Sequence, residues 1–299
     1  MKKLSYLAIL VISVIATSCL GSNSSSFEYT RSLQSSANFS VVKSLETGSE
    51  SVIANGAVYE LKILPDEGKI SVSVSGLQLT PNSGSYAFTI TDATFKYDES
   101  GALVLSLNDV PDASNGVAVT DFKLSYLERY MDSNTAIPAW VISYTINGRY
   151  TVRAVQKTTV LFGTSDVTVI QSGSNYRQNT AFYSLRFDPA GATSNEIKAN
   201  FYLFNAKFAD KMPKMNMAIQ DIPVTIGVNS FSMRADELKI YTVDEANNTE
   251  EQPDFRITDF VASGRYGTAA DLNHFEFTVG GRFETTLSLG CKIPTEEIN

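Results

Sequence analysis

The chain has 299 residues, 43% of them hydrophobic and only 19% charged, so it can bury a sizeable core in one large or two ordinary domains. Its 24 basic residues face 32 acidic ones, for a formal net charge of −8. That balance argues against nucleic acid as a partner and against electrostatic docking on an anionic membrane surface. With one histidine and two cysteines, a metal site built from imidazoles or thiolates is excluded, and the sequence implies no cofactor.

The first element is a targeting segment. Met1-Lys2-Lys3 is a basic start, and the apolar run Leu7 to Ala16 is too short to span a bilayer securely. It ends in Ala16-Thr17-Ser18-Cys19. Small residues before a cysteine resemble the bacterial lipobox, with Ala where Leu is usual at its first position. The resemblance implies cleavage before Cys19, leaving 1–18 as signal peptide, and acylation of the Cys19 thiol, which makes the membrane a partner through lipid. Two or three acyl chains at roughly 0.8 kcal/mol per buried methylene anchor a protein stably. A plain signal peptide with a chance cysteine is the alternative.

Losing Lys2 and Lys3 takes the net charge from −8 to −10. With Cys19 acylated no intramolecular disulfide can form, and Cys291 reads as a small buried residue of the last strand. Residues 19–37 read as the lipidated cysteine and a flexible tether, of which LGSNSSSF (20–27) is the polar part. That stretch holds no acidic residue, and position 20 is Leu rather than Asp. By resemblance to known sorting rules, both favour the periplasmic face of the outer membrane over the cell surface.

From about residue 38 the text alternates at period two, the signature of half-buried strands: ISVSVSGLQL (70–79), YAFTITDATF (86–95), ALVLSL (102–107) and WVISYTI (140–146). Turn clusters PDEG (65–68), PNSGS (81–85) and DVPDASNG (109–116) divide them. Helical text is confined to short pieces such as Arg234–Leu238. The chain reads as all-β.

It also reads as a repeat. AVYELKI (57–63) parallels AFYSLRF (181–187). ISVSVSGLQL parallels IKANFYLFNAKF (197–208), and YAFTITDATF parallels MNMAIQDIPV (215–224). VTDFKLSYLERY (119–130) parallels ITDFVASGRY (257–266), and WVISYTINGRYTV parallels HFEFTVGGRFETT. The order is kept throughout. Two homologous antiparallel β-barrel or β-sandwich domains follow, 38–163 and 164–293, with a tail at 294–299. One large sandwich, or one sheet shared by both repeats, is the alternative.

Catalysis has little to work with. His274 would have to serve any Ser-His-Asp site, and no Gly-x-Ser-x-Gly occurs. It reads as a polar-face residue, and the chain as no enzyme. The acidic loops Asp109/Asp112/Asn115 and Asp244/Glu245/Asn247/Asn248/Glu250/Glu251/Asp254 offer hard oxygen ligands, but their spacing matches no EF-hand and solvated hairpin loops are the better reading.

The recurring Asp121 and Asp259 read as turn-fixing structural residues, with Arg149 and Arg282 as possible ion-pair partners. Gly148 and Gly281 read as places of close approach or a bulge. Trp140 with Tyr144, and Tyr202, Phe204 and Phe208, are the candidates to line a ligand cavity or a sugar platform. Period two places Tyr202, Phe204 and Phe208 on one face.

Alternating strands, a late Gly-Arg-aromatic strand and a lipobox together resemble the lipoproteins of gut Bacteroidota with tandem calycin-like β-barrel domains. The resemblance implies a lipid-anchored binding or scaffold module for a small apolar ligand, a glycan or a protein. The alternative resemblance is to fimbrial subunits of the same bacteria, two-domain β lipoproteins processed after an arginine and assembled by strand donation. Arg31 in EYTRSL is placed for such processing.

Overall fold

The computed structural model describes residues 27–110, 117–130, 136–189, 197–244, 248–269 and 272–291. The signal segment, Cys19, Asp112, Asn115, Glu245 and Asn247 lie outside them. The chain is all-β and divides into two compact units between Lys157 and Thr158.

The first unit holds β1 (Tyr29–Leu33), β2 (Asn38–Ser44), β3 (Glu50–Ile53), β4 (Val58–Leu64), β5 (Lys69–Leu77), β6 (Tyr86–Thr94), β7 (Lys96–Tyr97), β8 (Leu103–Asp109), β9 (Val119–Tyr130), β10 (Ala136–Ile146) and β11 (Tyr150–Gln156). Alternation does what the sequence predicts: along β5, Ile70, Val72 and Val74 are buried while Ser71 and Ser73 are not. Hydrogen bonds give two sheets, β1-β4-β5-β6 and β3-β2-β11-β10-β9-β8-β7, around one core. The sheets join at two corners. Only Phe95 separates β6 from β7, and only Gln34–Ala37 separates β1 from β2. The circuit is a split barrel of eight strands, counting β1/β2 and β6/β7 as one bent strand each.

The second unit holds β12 (Thr158–Val169), β13 (Ser174–Gln178), β14 (Phe182–Pro189), β15 (Ile197–Ala206), β16 (Met215–Ile226), β17 (Ser230–Leu238), β18 (Ile240–Val243), β19 (Thr249–Glu251), β20 (Ile257–Arg265), β21 (Asn273–Val279) and β22 (Phe283–Gly290). Here the ring closes fully, in the order β15-β14-β12-β22-β21-β20-β17-β16 with β16 returning to β15. Arg234–Leu238, read as helical text, is strand, because β17 pairs along β20 as far as Leu238↔Ile257. The barrel strands follow the circuit of the first unit in the same order.

One corner shows why the first ring splits and the second does not. The first half of β12 pairs with β14, and its second half with β22 and β13. The handover falls at Gly163, where a Cβ would lie 2.0 Å from the Ser288 carbonyl oxygen, so only glycine fits. In the first unit the same handover, from β4 to β11 and β3, takes a 3-10 turn at Ser35–Ala37. Asn38 ties that turn down, donating from Nδ2 to the carbonyls of Gln34 (2.8 Å) and Ala57 (3.0 Å). Two boundaries are corrected by this corner. The expected tether to residue 37 contains β1, a barrel strand, and the expected joint at 163/164 falls inside β12.

The duplicated residues are bulges and turns. Asp121 (φ +53°) and Asp259 (φ +55°) sit inside strands, where β9 and β20 slip register against β10 and β21. Aspartate tolerates this left-handed backbone better than most residues. Asp92 and Asp221 form a second pair (φ +49° and +56°), and each backbone N–H donates to a matching side chain, Ser71 Oγ at 3.0 Å and Asn200 Oδ1 at 3.1 Å. No ion pair joins Asp121 to Arg149 or Asp259 to Arg282 among the described residues. Instead both arginines close two-residue hairpin turns, N–H of Arg149 to Ile146 O (2.9 Å) and of Arg282 to Val279 O (3.0 Å). Gly148 and Gly281 supply the turns' positive φ with open space around them, which replaces the expected close approach.

The corner and the turn separate experimentally. Gly163→Ala is expected to destabilise the second barrel by about 3 kcal/mol, because the obstruction is backbone. Gly148→Ala is expected to destabilise by only about 1 kcal/mol, for its left-handed φ alone. Urea unfolding of both variants checks the ranking, and equal stability would refute the close approach.

Candidate functional site

At one end of the second barrel the last residues of upward strands meet the first residues of downward ones. An apolar pocket with about 60 Å³ of internal space opens there. Phe208 follows β15, Met212 lies in the next turn, Met215 and Met217 begin β16, and Val279 and Phe283 flank the Gly280-Gly281 turn. An excursion covers them. After β17 the chain forms the β18–β19 hairpin and a 3-10 turn at Pro253–Phe255, which bring Ile240, Thr242, Gln252 and Phe255 over the opening. Gln252 Nε2 donates to Thr242 Oγ1 at 3.2 Å, and these two are the only polar side chains of the lining.

The covering turn depends on Gly280. Its N–H donates to Arg256 O at 2.8 Å, and its Cα side faces the Phe255 ring, 3.4 Å from where a Cβ would stand. The hairpin is held to the barrel by three register pairs, Met217↔Thr242, Ala218↔Tyr241 and Ile219↔Ile240, and by the exposed Lys239–Glu251 ion pair at 2.8 Å. This is the second acidic loop of the sequence. Asp244 there accepts from the Asn248 N–H at 2.8 Å, and no group of three metal-ligating His, Cys, Asp or Glu side chains gathers among the described residues.

In the first barrel the counterparts of Phe208, Met215, Met217, Val279 and Phe283 are Leu79, Tyr86, Phe88, Ile146 and Tyr150, all in or against a core that also holds Val110 and Val117. Aromatic rings stand there where the second barrel has methionines.

The five aromatic candidates are split by this architecture. Trp140 and Tyr144 are core of the first unit: Trp140 lies against Tyr59 with ring centroids at 6.3 Å, and Tyr144 stacks on Phe122 at 5.8 Å. The hydroxyls of Tyr59 and Tyr144 share a hydrogen bond of 3.0 Å. Phe208 lines the pocket, but Tyr202 and Phe204 do not share its face. The bulge at Asn205 (φ +57°) shifts the alternation, so Phe208 turns inward with Phe201 and Leu203. Phe204 stacks outside the ring on Phe182 at 4.7 Å. His274 is exposed and hydrogen-bonds Glu276 at 2.8 Å, an outer-face residue as the sequence suggested. Cys291 is buried just past β22, its thiol donating to Gly267 O at 3.3 Å.

A buried polar cluster closes the opposite end of the first barrel. Arg31 pairs with Glu128, whose second oxygen accepts from the Tyr29 hydroxyl, and the guanidinium lies 4.4 Å from the Tyr29 ring centroid. Burial raises the Tyr29 phenol well above its ordinary range and the Glu128 bond adds to it; Tyr126 alongside is pushed up to about 12, mainly by burial. Arg31 is 7% exposed within β1, so the folded unit does not offer it to a protease. Thr159 and Tyr266 stand at the matching positions of the second barrel, so this cluster is not duplicated.

No protein-family model, curated protein or solved structure matches the chain.

Burial also raises the phenols of Tyr59, Tyr144 and Tyr183. A raised folded pKa means that the unfolded chain loses its proton first, near 10. Stability is therefore full below pH 10 and falls above it by about 1.4 kcal/mol per pH unit for each such tyrosine. Unfolding by urea between pH 9 and 12 is expected to show that decline, flattened in Tyr59→Phe with Tyr144→Phe. A stability independent of pH above 10 would contradict the buried phenols.

Proposed function

We propose that this chain is a non-catalytic, lipid-anchored binding module of the bacterial cell envelope, and that its second barrel takes a small apolar ligand at the mouth. The observation that carries the reading is the pocket lined by Phe, Met, Ile and Val, at the end where the first barrel sets Tyr86, Phe88 and Tyr150 in or against its core. Polar contact is limited to Thr242 and Gln252, so the lining recognises shape and apolar surface rather than charge. Acylation at Cys19 places the module on the outer membrane, facing the periplasm. The fimbrial reading finds less support, because Arg31 is buried and ion-paired inside a barrel strand.

An uncharged environment-sensitive dye such as Nile red tests the site. It is expected to bind one per chain. Met217→Trp, which fills the pocket floor, is expected to weaken binding at least about tenfold, roughly 1.4 kcal/mol. Tyr202→Ala, on the outer face, is expected to leave it unchanged. Equal binding by wild type and Met217→Trp contradicts the site. The anchor is tested separately: Cys19→Ala is expected to move the protein from the membrane to the soluble fraction, and its retention on membranes contradicts lipidation.

A further inference from the structure

Three of the chain's six methionines fall within six residues, in Met212-Pro-Lys-Met215-Asn-Met217, and all three line the same pocket. Met215 and Met217 lie two apart on β16, so both side chains leave the same face of the strand. Met212 comes in from the turn, whose backbone is fixed by its N–H to Ala209 O at 3.1 Å. The lysines between and beside them, Lys211 and Lys214, are exposed. The fold does not ask for methionine here. The matching residues of the first barrel are Ser83, Tyr86 and Phe88, and that barrel closes on aromatic rings.

We infer that these three thioethers form a binding site for a soft monovalent cation of the copper(I) class. Thioether sulfur is an uncharged, polarizable donor that selects Cu(I) over hard divalent cations. None of the residues lining the pocket is acidic, so nothing there neutralises a dication or suits calcium or magnesium. The rings of Phe208, Phe255 and Phe283 keep water from the metal, and sulfur and aromatic edges are favourable neighbours. Methionine side chains are long and unbranched, so three of them can converge on one ion without moving the barrel. This site rests on the same pocket as the apolar-ligand reading but not on the ligand being organic.

The test uses the full chain with Cys19→Ser and Cys291→Ser, which removes both thiols, and with 13C-labelled methionine methyl groups. Ag(I) is added as the redox-inert stand-in for Cu(I). The methyl resonances of Met212, Met215 and Met217 are expected to shift together and saturate at one equivalent, while Met233, buried in the same barrel, stays unchanged. Met215→Leu with Met217→Leu conserves volume. That variant is expected to lose Ag(I) affinity by at least about a hundredfold, with the methyl resonance of the buried Met233 unmoved from wild type as the check that it folds. Dye binding with no methionine shift overturns the cation site and leaves the apolar-ligand reading standing. Methionine shifts without dye binding support the cation site and overturn the apolar ligand. Shifts shared equally by Met233 overturn the site as specific.

Discussion

In both units the chain changes strand partners at one corner of the barrel, and the circuit continues only because the backbone can turn at that point. In the second unit Gly163 lets the Ser288 carbonyl come within a distance no side chain would permit, and β12 stays one strand. In the first unit the same bend is spread over a 3-10 turn that Asn38 pins from within, leaving β1 and β2 separate. The other bends are left-handed bulges at Asp92, Asp121, Asp221 and Asp259, repeated at matching places. Each returns the inward side chains to register after the strand has curved, so the cores remain continuous.

Closure leaves each barrel with ends to be sealed, and there the two units part company. The first has Tyr86, Phe88 and Tyr150 at one end, in or against the core, and the Arg31–Glu128–Tyr29 cluster at the other. A buried ion pair contributes little net stability over an apolar replacement, but removing one partner is strongly destabilising. It therefore fixes β1 in place. The second barrel replaces rings by methionines and covers the mouth with a hairpin held by three register pairs. A short, edge-paired hairpin belongs to the less stable parts of a fold.

Much of this architecture was legible in the sequence, because strand alternation and turn residues are local. The parallels between WVISYTINGRYTV and HFEFTVGGRFETT correctly identified matching hairpins. What was not legible depended on contacts between distant residues. Barrel rather than sandwich turns on Gly163 meeting Ser288, 125 positions later. Phe208 was assigned the wrong face because a single bulge at Asn205 inverts the alternation after it. Arg31 looked like an exposed tether residue because its partner, Glu128, is 97 residues away. Trp140 and Tyr144 were drawn to attention by size, yet large aromatics are mostly core. The pocket left one overlooked signal: aligning the repeats sets Met215 and Met217 against Tyr86 and Phe88, a loss of ring volume at two neighbouring places on one strand face.

The account turns on that difference, an apolar space at the mouth of the second barrel where the first carries aromatic rings. Crystals pressurised with xenon test it most directly, since xenon enters dry apolar cavities without needing polar partners. The expected result is xenon density between Phe208, Met217 and Phe283, and none at Leu79, Phe88 and Tyr150. Density in both barrels, or in neither, would contradict the account.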